Sequence, residues 1–232
     1  MTTQFPLPEI GAETFGDITE DADGNPLSHA QVIRNVIAEG QQAEASNLDF
    51  FGVGEHHRDD YAISSPEIVL AALASTTQRI KLGTAVTVLS SDDPVRVYER
   101  FATLDAISNG RTEIIAGRGS FIESFPLFGL DLEDYEDLFE EKLHLLAKLR
   151  HGAPVSWQGK HRSALRNQQI YPLLEGKPLT TWVGVGGSPQ SVIRAARHGL
   201  PLCLAIIGGQ PSAFEGLATL YRRALEEFGQ EQ

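Results

Sequence analysis

Cysteine is nearly absent from this sequence of 232 residues. Cys203 is the only one, so no disulfide can form within the chain, and we expect a protein of the reducing cytoplasm. Long apolar runs are missing too, because stretches such as Leu200–Ile207 are far too short to span a bilayer. Met1–Glu9 has neither the basic start nor the apolar stretch of a secretory signal. We therefore expect no contact with a membrane.

Basic residues are in deficit as well. The 19 Lys and Arg face 31 Asp and Glu, which gives a formal net charge of −12. This excess of negative charge argues against a nucleic-acid partner or an anionic membrane surface, although it leaves room for one local anion site. The hydrophobic share of 41% and the charged share of 22% are close to globular averages, which excludes disorder and fibrous repeats. The length suggests one large domain or two small ones.

Short β-branched runs alternate with longer amphipathic segments, the pattern of βα units around a parallel sheet. The predicted strands are Ile10–Asp17, Asp49–Gly54, Ile80–Leu89, Thr112–Ala116, Thr180–Val185 and Leu202–Ile207. The predicted helices are Ser28–Ser46, Pro66–Gln78, Pro94–Ser108, Asp134–Arg150, Ser188–His198 and Phe214–Phe228, with Ser28, Ser65 and Ser188 as N-caps. Residues from about 151 to 178 break the periodicity and are interpreted as an excursion with a short hairpin.

Six βα units use the whole chain, whereas a closed (β/α)₈ barrel needs eight units and about 250 residues. The pattern alone leaves two α/β architectures open. One is an open doubly wound sheet, and the other is a TIM-type barrel from which the last two units are missing.

The first candidate site is the segment GVGEHH, residues 52–57, at the end of the second predicted strand. It lacks the third glycine of a dinucleotide-binding fingerprint. Histidine just past a buried strand can act as a general acid or base at the carboxyl edge of a parallel sheet. A metal site built from His56, His57, Asp59 and Asp60 is a weaker alternative, because adjacent histidines are poorly spaced as ligands and Arg58 would repel a cation. A structural loop histidine is the third interpretation.

Two glycine-containing turns together favour a phosphate site. In GRGS, residues 117–120, the guanidinium of Arg118 offers a fork suited to phosphate oxygens, although the turn alone is typical of a protein surface. In GGSPQS, residues 186–191, a strand enters a helix start whose free N–H groups and hydroxyls can cradle an anion. A plain βα turn capped by Ser188 explains the second motif equally well.

Three phenylalanines, Phe121, Phe125 and Phe128, lie in the predicted loop Gly117–Asp131. Apolar loop residues usually cover a core, and we favour that interpretation here. The alternative is that they wall a dry pocket that protects a reactive intermediate from water.

These pieces, in this order, resemble the bacterial-luciferase-like family of flavin-dependent oxidoreductases. The matching stretches extend over nearly all of Ile10–Gly229 and are FGVGEHH, IKLGTAVTVLSSDDPVRVYERFATLDAISNGR, AGRGSFIESFPLFG and WVGVGGSPQSVIRAARHGLPL. The resemblance implies a (β/α)₈ barrel that binds reduced FMN, or in some branches the deazaflavin F420, at the carboxyl face of the strands. It also implies that residues 1–232 form a single barrel domain, in which the seventh and eighth units would be missing.

The resemblance also implies roles for three groups of residues. The catalytic group is His56 with its neighbours Glu55 and His57. The group beneath the flavin ring, where the family often has a non-proline cis peptide, is Thr84, Ala85 and Val86. The group that binds the flavin phosphate is Arg118, Gly186, Gly187, Ser188 and Ser191. Some members carry a reactive cysteine where this chain has Gly117, so no thiol chemistry is implied.

The activity that the resemblance favours is a monooxygenase that uses reduced FMN and O₂ on a small organic substrate. A homodimer is expected, and a separate flavin reductase is a candidate partner. Three alternatives stay open: a hydride-transfer dehydrogenase or reductase dependent on FMN or F420, a non-catalytic flavin-binding protein, and a metal-dependent hydrolase.

Overall fold

The structure is a computed structural model and describes residues 7–207 and 209–230. The first six residues of the Met1–Glu9 segment therefore lie outside the described residues. Within these ranges, none of the helices combines the length and the apolar character that crossing a bilayer requires.

Parallel strands form one curled sheet that follows the order of the chain. Its strands are β1 (Gly11–Thr14), β2 (Phe50–Val53), β3 (Lys81–Thr84), β4 (Thr87–Val88), β5 (Thr112–Gly117), β8 (Thr180–Val185) and β9 (Leu202–Leu204). They pair in the order β1-β2-β3-β5-β8-β9, and β4 also pairs with β5. A doubly wound sheet reverses its strand order at a switch point, and this sheet does not. The half-barrel expected from six βα units is confirmed, and the doubly wound alternative is wrong.

The helices pack on one side of this sheet. They are α1 (His29–Ala45), α2 (Pro66–Thr76), α3 (Pro94–Ser108), α4 (Ser124–Leu127), α5 (Tyr135–Leu149), α6 (Pro189–Arg197) and α7 (Glu215–Phe228). Their starts follow the predicted caps at Ser28 and Ser188, whose side chains accept backbone N–H groups of the first turn. Ser65 precedes α2 as predicted, but its side chain makes no capping hydrogen bond.

The core lies between the sheet and the helices. Alternate strand residues such as Phe51, Leu82 and Val183 are buried against the helices. Their neighbours along the strands face the barrel interior, where Trp182 Nε1 donates to Glu113 Oε2 over 2.8 Å. The predicted excursion contains the antiparallel hairpin of β6 (Val155–Trp157) and β7 (Leu165–Gln168).

Three predicted strands are shorter or interrupted. The first ends at Thr14, where the turn at Gly16 has φ +71°. The third is not one strand over Ile80–Leu89, because the cis Ala85–Val86 peptide separates β3 from β4. The sixth stops at Leu204, whose carbonyl accepts the N–H of Ile206 in a turn. The two outermost strands of the described sheet are β1 and β9.

Candidate functional site

A cavity of about 340 Å³ opens at the carboxyl ends of the strands. Register brings its walls together, because Val53 pairs with Thr84 and Ala116 pairs with Val183, so the segments that follow these strands start side by side. The lining includes Phe15, Glu55, His56, Tyr61, Ala85, Val86, Phe121, Gly184, Cys203, Ile206 and Ile207. Such a cavity at the carboxyl edge of parallel strands is where α/β proteins bind ligands.

The floor of the cavity is the Ala85–Val86 peptide, which is cis, as the resemblance predicts. Val86 packs directly onto two glycines. A Cβ at Gly117 would lie 2.5 Å from Val86 Cγ2, and a Cβ at Gly184 would lie 3.0 Å from Val86 Cγ1. Gly117 therefore stands where a side chain has no room. The third residue predicted for this segment, Thr84, is fully buried and faces Thr87, with 2.8 Å between their Oγ1 atoms.

His56 lies in an aromatic part of the cavity wall. Its ring stacks on Tyr61 with 4.0 Å between centroids, and Phe15 and Phe121 meet it edge-on at 5.5 Å. Burial lowers the pKa of His56, and the nearby Phe15 backbone and the charges of Asp17, Glu55 and Asp60 oppose that effect. The buried Nδ1 has no hydrogen-bond partner among the described residues. A neutral imidazole that borders the cavity can accept or donate a proton to a bound molecule.

Glu55 and His57 form a pair beside His56. His57 Nε2 lies 3.0 Å from Glu55 Oε1, and Glu55 Oε2 accepts the backbone N–H of Val88 over 2.8 Å. The Glu55 carboxylate therefore ties the turn after β2 to β4. His57 does not line the large cavity but a second one of about 280 Å³, whose polar walls include Glu67, Asp92 and Arg100. Of the predicted catalytic group, Glu55 and His56 border the large cavity and His57 lies behind them.

The predicted phosphate residues meet around a chain of ion pairs. Arg118, which follows β5, pairs with Glu136 in the first turn of α5. Glu136 Oε2 also lies 3.2 Å from Arg194 Nη2, and Arg194 Nη1 lies 3.4 Å from Ser191 Oγ. Two arginines from different parts of the chain thus share the carboxylate of Glu136, and Arg194 links it to Ser191 at the start of α6.

The turn after β8 is open to a ligand. A Cβ built on Gly186 or Gly187 meets nothing within 4 Å, and Gly187 has φ +136°, a conformation that favours glycine. Ser188 Oγ caps α6 by accepting the N–H of Ser191. The capping role that explains the motif without a ligand is therefore real. Because Pro189 has no N–H and the N–H of Ser191 is taken by the cap, an anion at this turn would depend on the glycine backbone and the serine hydroxyls.

Sequence reasoning missed Tyr61, Glu136 and Arg194. Arg194 could have been found, because it lies three residues after Ser191 on one helix and so shares its face. The other two carry no local signal. Of the three phenylalanines, Phe125 is buried as a core residue, Phe121 walls the cavity, and Phe128 is 51% exposed.

A metal site at the histidine pair finds no support in the geometry. Arg58 pairs with Asp60, with 2.8 Å between Nε and Oδ1. Within the described ranges, the only three side chains whose ligand atoms lie within 4.8 Å of one another are Asp134, Asp137 and His161, far along the chain. Lys160 already pairs with both of these carboxylates, at 3.1 and 3.2 Å.

Two solved structures share this fold. The oxygenating constituent of 3,6-diketocamphane monooxygenase from the CAM plasmid of Pseudomonas putida, in complex with FMN, has a TM-score of 0.81 at 20% identity, over 97% of this chain and 64% of that one. An F420-dependent secondary alcohol dehydrogenase in complex with an F420-acetone adduct has a TM-score of 0.76 at 18% identity, over 96% of this chain and 65% of that one. At these identities the likeness shows the fold alone.

Comparison of sequences identifies the family as well as the fold. The alkanal monooxygenase alpha chain of Photorhabdus luminescens is 26% identical over 224 residues, which are 93% of this chain and 59% of that relative. The chain thus spans less than two thirds of the length of this relative. The sequence model of the family described as luciferase-like monooxygenase matches residues 14–232. The chain therefore belongs to the luciferase-like monooxygenase family.

Proposed function

We propose that this chain provides the flavin-binding part of a monooxygenase that uses reduced FMN and O₂ on a small organic substrate. The observation that carries the proposal is the placement of a cavity with a buried, unpartnered histidine nitrogen beside an open, cationic turn. An aromatic ring system with a phosphate tail needs both. Two similar proteins support the choice: an alkanal monooxygenase alpha chain and a monooxygenase structure in complex with FMN.

The residues present fit such a cofactor. The cavity of about 340 Å³ falls within the range of ligand pockets, and its walls are largely apolar or aromatic. The free space around Gly186 and Gly187 lets a phosphate approach the backbone. Arg118 and the hydroxyls of Ser188 and Ser191 supply charge and donors at that end.

When bound, reduced FMN supplies the electrons that activate O₂. The protein supplies the surroundings. Ala85 and Val86 form the surface on which a planar ring can lie, and Phe121 with Tyr61 limits access of water. The imidazole of His56 holds or moves a proton where the ring borders the cavity, while Glu55 and His57 position the turn that carries it. Arg118 and the Gly186–Ser191 turn bind the phosphate.

A hydride-transfer enzyme that uses F420 is the second candidate. The observation that favours it is the shared fold with an F420-dependent secondary alcohol dehydrogenase. Oxygen uptake separates the two. With reduced FMN and a panel of small organic substrates, a monooxygenase consumes O₂ in a substrate-dependent way, whereas a dehydrogenase does not. A flavin reductase as electron donor is part of the first proposal, and a homodimer is expected for both.

The cofactor site is tested by comparing FMN with riboflavin, which lacks the phosphate. We expect Arg118→Ala to weaken FMN binding roughly ten- to a hundredfold, because a charge-assisted hydrogen bond is lost. Riboflavin binding should hardly change. Flavin fluorescence titration measures both affinities, and Arg96→Ala is the matched control, since Arg96 is an exposed arginine that pairs with Glu99 on α3. Equal losses for both flavins would show that Arg118 does not contact the phosphate.

A further inference from the structure

We propose that Glu136 sets the phosphate selectivity of this site, by holding Arg118 when no phosphate is bound and competing with a phosphate for it. The inference rests on the proposed function, because it concerns the same anion site. It assigns a role to an acidic residue that no flavin contact requires. The argument starts from the two guanidinium groups that share this carboxylate.

Glu136 bridges two arginines with its two oxygens. Oε1 pairs with Arg118 Nη1, and Oε2 lies 3.2 Å from Arg194 Nη2. The guanidinium that should receive the phosphate is therefore already paired with an anion. Arg118 also lies over the Tyr135 ring at 5.3 Å, and Tyr135 donates its hydroxyl proton to the carbonyl of Gly119. The ring and the turn keep Arg118 close to the first turn of α5.

Arg118, Arg194 and Glu136 differ in how far their side chains are exposed to solvent. The side chain of Arg194 is only 9% exposed, pairs with Glu140 and lies over the Phe139 ring at 5.3 Å. The Glu136 side chain is 58% exposed, and Arg118 lies between these extremes at 26%. The exposed Glu136 carboxylate can therefore move away from Arg118, whereas the buried Arg194 side chain is held in place by its contacts. A phosphate that takes Arg118 leaves Glu136 paired with Arg194 alone.

The charges around Arg118 explain why Glu136 affects the binding of a phosphate. The cluster holds the cations Arg118, Arg194 and Arg197 against the anions Glu136 and Glu140, a net charge of +1. An FMN phosphate brings up to two negative charges to this place. It must displace the Glu136 carboxylate from Arg118 or remain beside it, and both cost binding free energy. Riboflavin carries no phosphate, so its binding does not include this unfavourable free energy. Glu136 therefore lowers the affinity for FMN but not for riboflavin, and so reduces the difference between the two affinities.

Glu136→Gln tests this directly, because glutamine keeps the shape and removes the charge. We expect the variant to bind FMN roughly three- to tenfold more tightly at low ionic strength, a range set by the exposure of the pair. Riboflavin affinity should not change. The matched control is Glu133→Gln, the same substitution one turn earlier at an exposed glutamate that makes no ion pair within the described ranges. The control should leave both affinities unchanged.

Fluorescence titration of FMN and riboflavin gives the readout, without any need for turnover. In an Arg118→Ala background, the effect of Glu136→Gln on FMN binding should shrink, since the contested guanidinium is gone. Unchanged or weaker FMN binding in Glu136→Gln would overturn the inference, and so would an equal gain for riboflavin. Circular dichroism of each variant checks that the fold is retained.

Failure of the proposed function gives a different pattern. If the unaltered protein binds FMN no better than riboflavin and Arg118→Ala changes neither affinity, the anion site itself is wrong, and the role of Glu136 is overturned along with it. If Arg118→Ala lowers only FMN affinity and Glu136→Gln does nothing, the site stands and the role of Glu136 alone is overturned.

Discussion

Replacing Gly117 by alanine places a methyl group on the floor of the cavity, where Val86 already lies. The new Cβ would lie 2.5 Å from Val86 Cγ2, 2.9 Å from Val86 Cβ and 3.1 Å from Val86 Cγ1. Carbon atoms in ordinary contact are about 3.5–4.0 Å apart, so the valine must shift. A β-branched side chain has only one torsion to turn, and its Cβ cannot move without the backbone.

Overpacking of this kind typically costs about 1–3 kcal/mol of unfolding free energy. In a chain of this size, 1 kcal/mol lowers the melting temperature by roughly 2–4 °C, so we expect a fall of about 2–12 °C. Val86→Ala removes the two methyl groups, at 2.5 and 3.1 Å, and leaves only the contact with Cβ at 2.9 Å. In the double variant the cost of Gly117→Ala should therefore be smaller than in the unaltered protein, and the difference is the coupling free energy.

Urea unfolding followed by circular dichroism measures all four proteins of this cycle. Gly216→Ala is the matched control, because a Cβ at this position in α7 meets nothing within 4 Å. There the same change should stabilise by up to about 1 kcal/mol, through higher helix propensity. If Gly117→Ala is as stable as the unaltered protein, or if Val86→Ala leaves its cost unchanged, the packing argument for this glycine is refuted.

Three further predictions follow from the site and the sheet. His56→Ala should leave flavin binding nearly intact but lower turnover by roughly 10²–10⁴, the range for a lost general acid or base, and retained turnover would make His56 a structural residue. Burial lowers the pKa of His56 below 6.5, so the unfolded chain binds protons more readily, and the free energy of unfolding should fall as the pH drops below that value. Urea titrations between pH 7.5 and 5.5 should show a shallower fall in His56→Gln, and an unchanged slope would contradict the burial effect. The outer strands β1 and β9 leave an edge on each side, so a chain of these 232 residues expressed alone should associate or melt without cooperativity, whereas a monodisperse, cooperatively melting monomer in light scattering and calorimetry would refute this.

Local signals explain which parts of the fold could be predicted from the sequence. The start of α1 follows from a single hydroxyl at Ser28, and α3 ends where Asn109 takes the left-handed conformation with φ 57°. The barrel could be separated from a doubly wound sheet only by strand order, a property of the whole chain. Strand β9 ends early because of a turn at Leu204, although the sequence stays apolar through Ile207.

In the candidate site, too, some features could be predicted from the sequence and others could not. Its turns could be located, because polar and glycine residues after apolar strands fall at one edge of a parallel sheet. The side chains that contact these turns from elsewhere in the chain could not be predicted. Glu136 lies 18 residues after Arg118 and meets it only because the first turn of α5 comes back to the turn after β5. Tyr61 stacks on His56 from the loop that follows β2. At Gly117 the sequence indicates only that a cysteine is absent, whereas the contact with Val86 gives this glycine a packing role.

The open side of the cavity has a consequence for how such a site can diversify. Ile206 and Ile207, which follow β9, are 40% and 70% exposed, while the turns proposed to bind the phosphate follow β8, the neighbouring strand, and β5, the strand beyond it. Mutations along the outer wall can reshape the space for a second molecule without touching a group that would hold the flavin. If the flavin binds as proposed, selection can therefore act on the two tasks almost independently, because the turns after β5 and β8 can stay constant while the wall after β9 changes to fit other substrates.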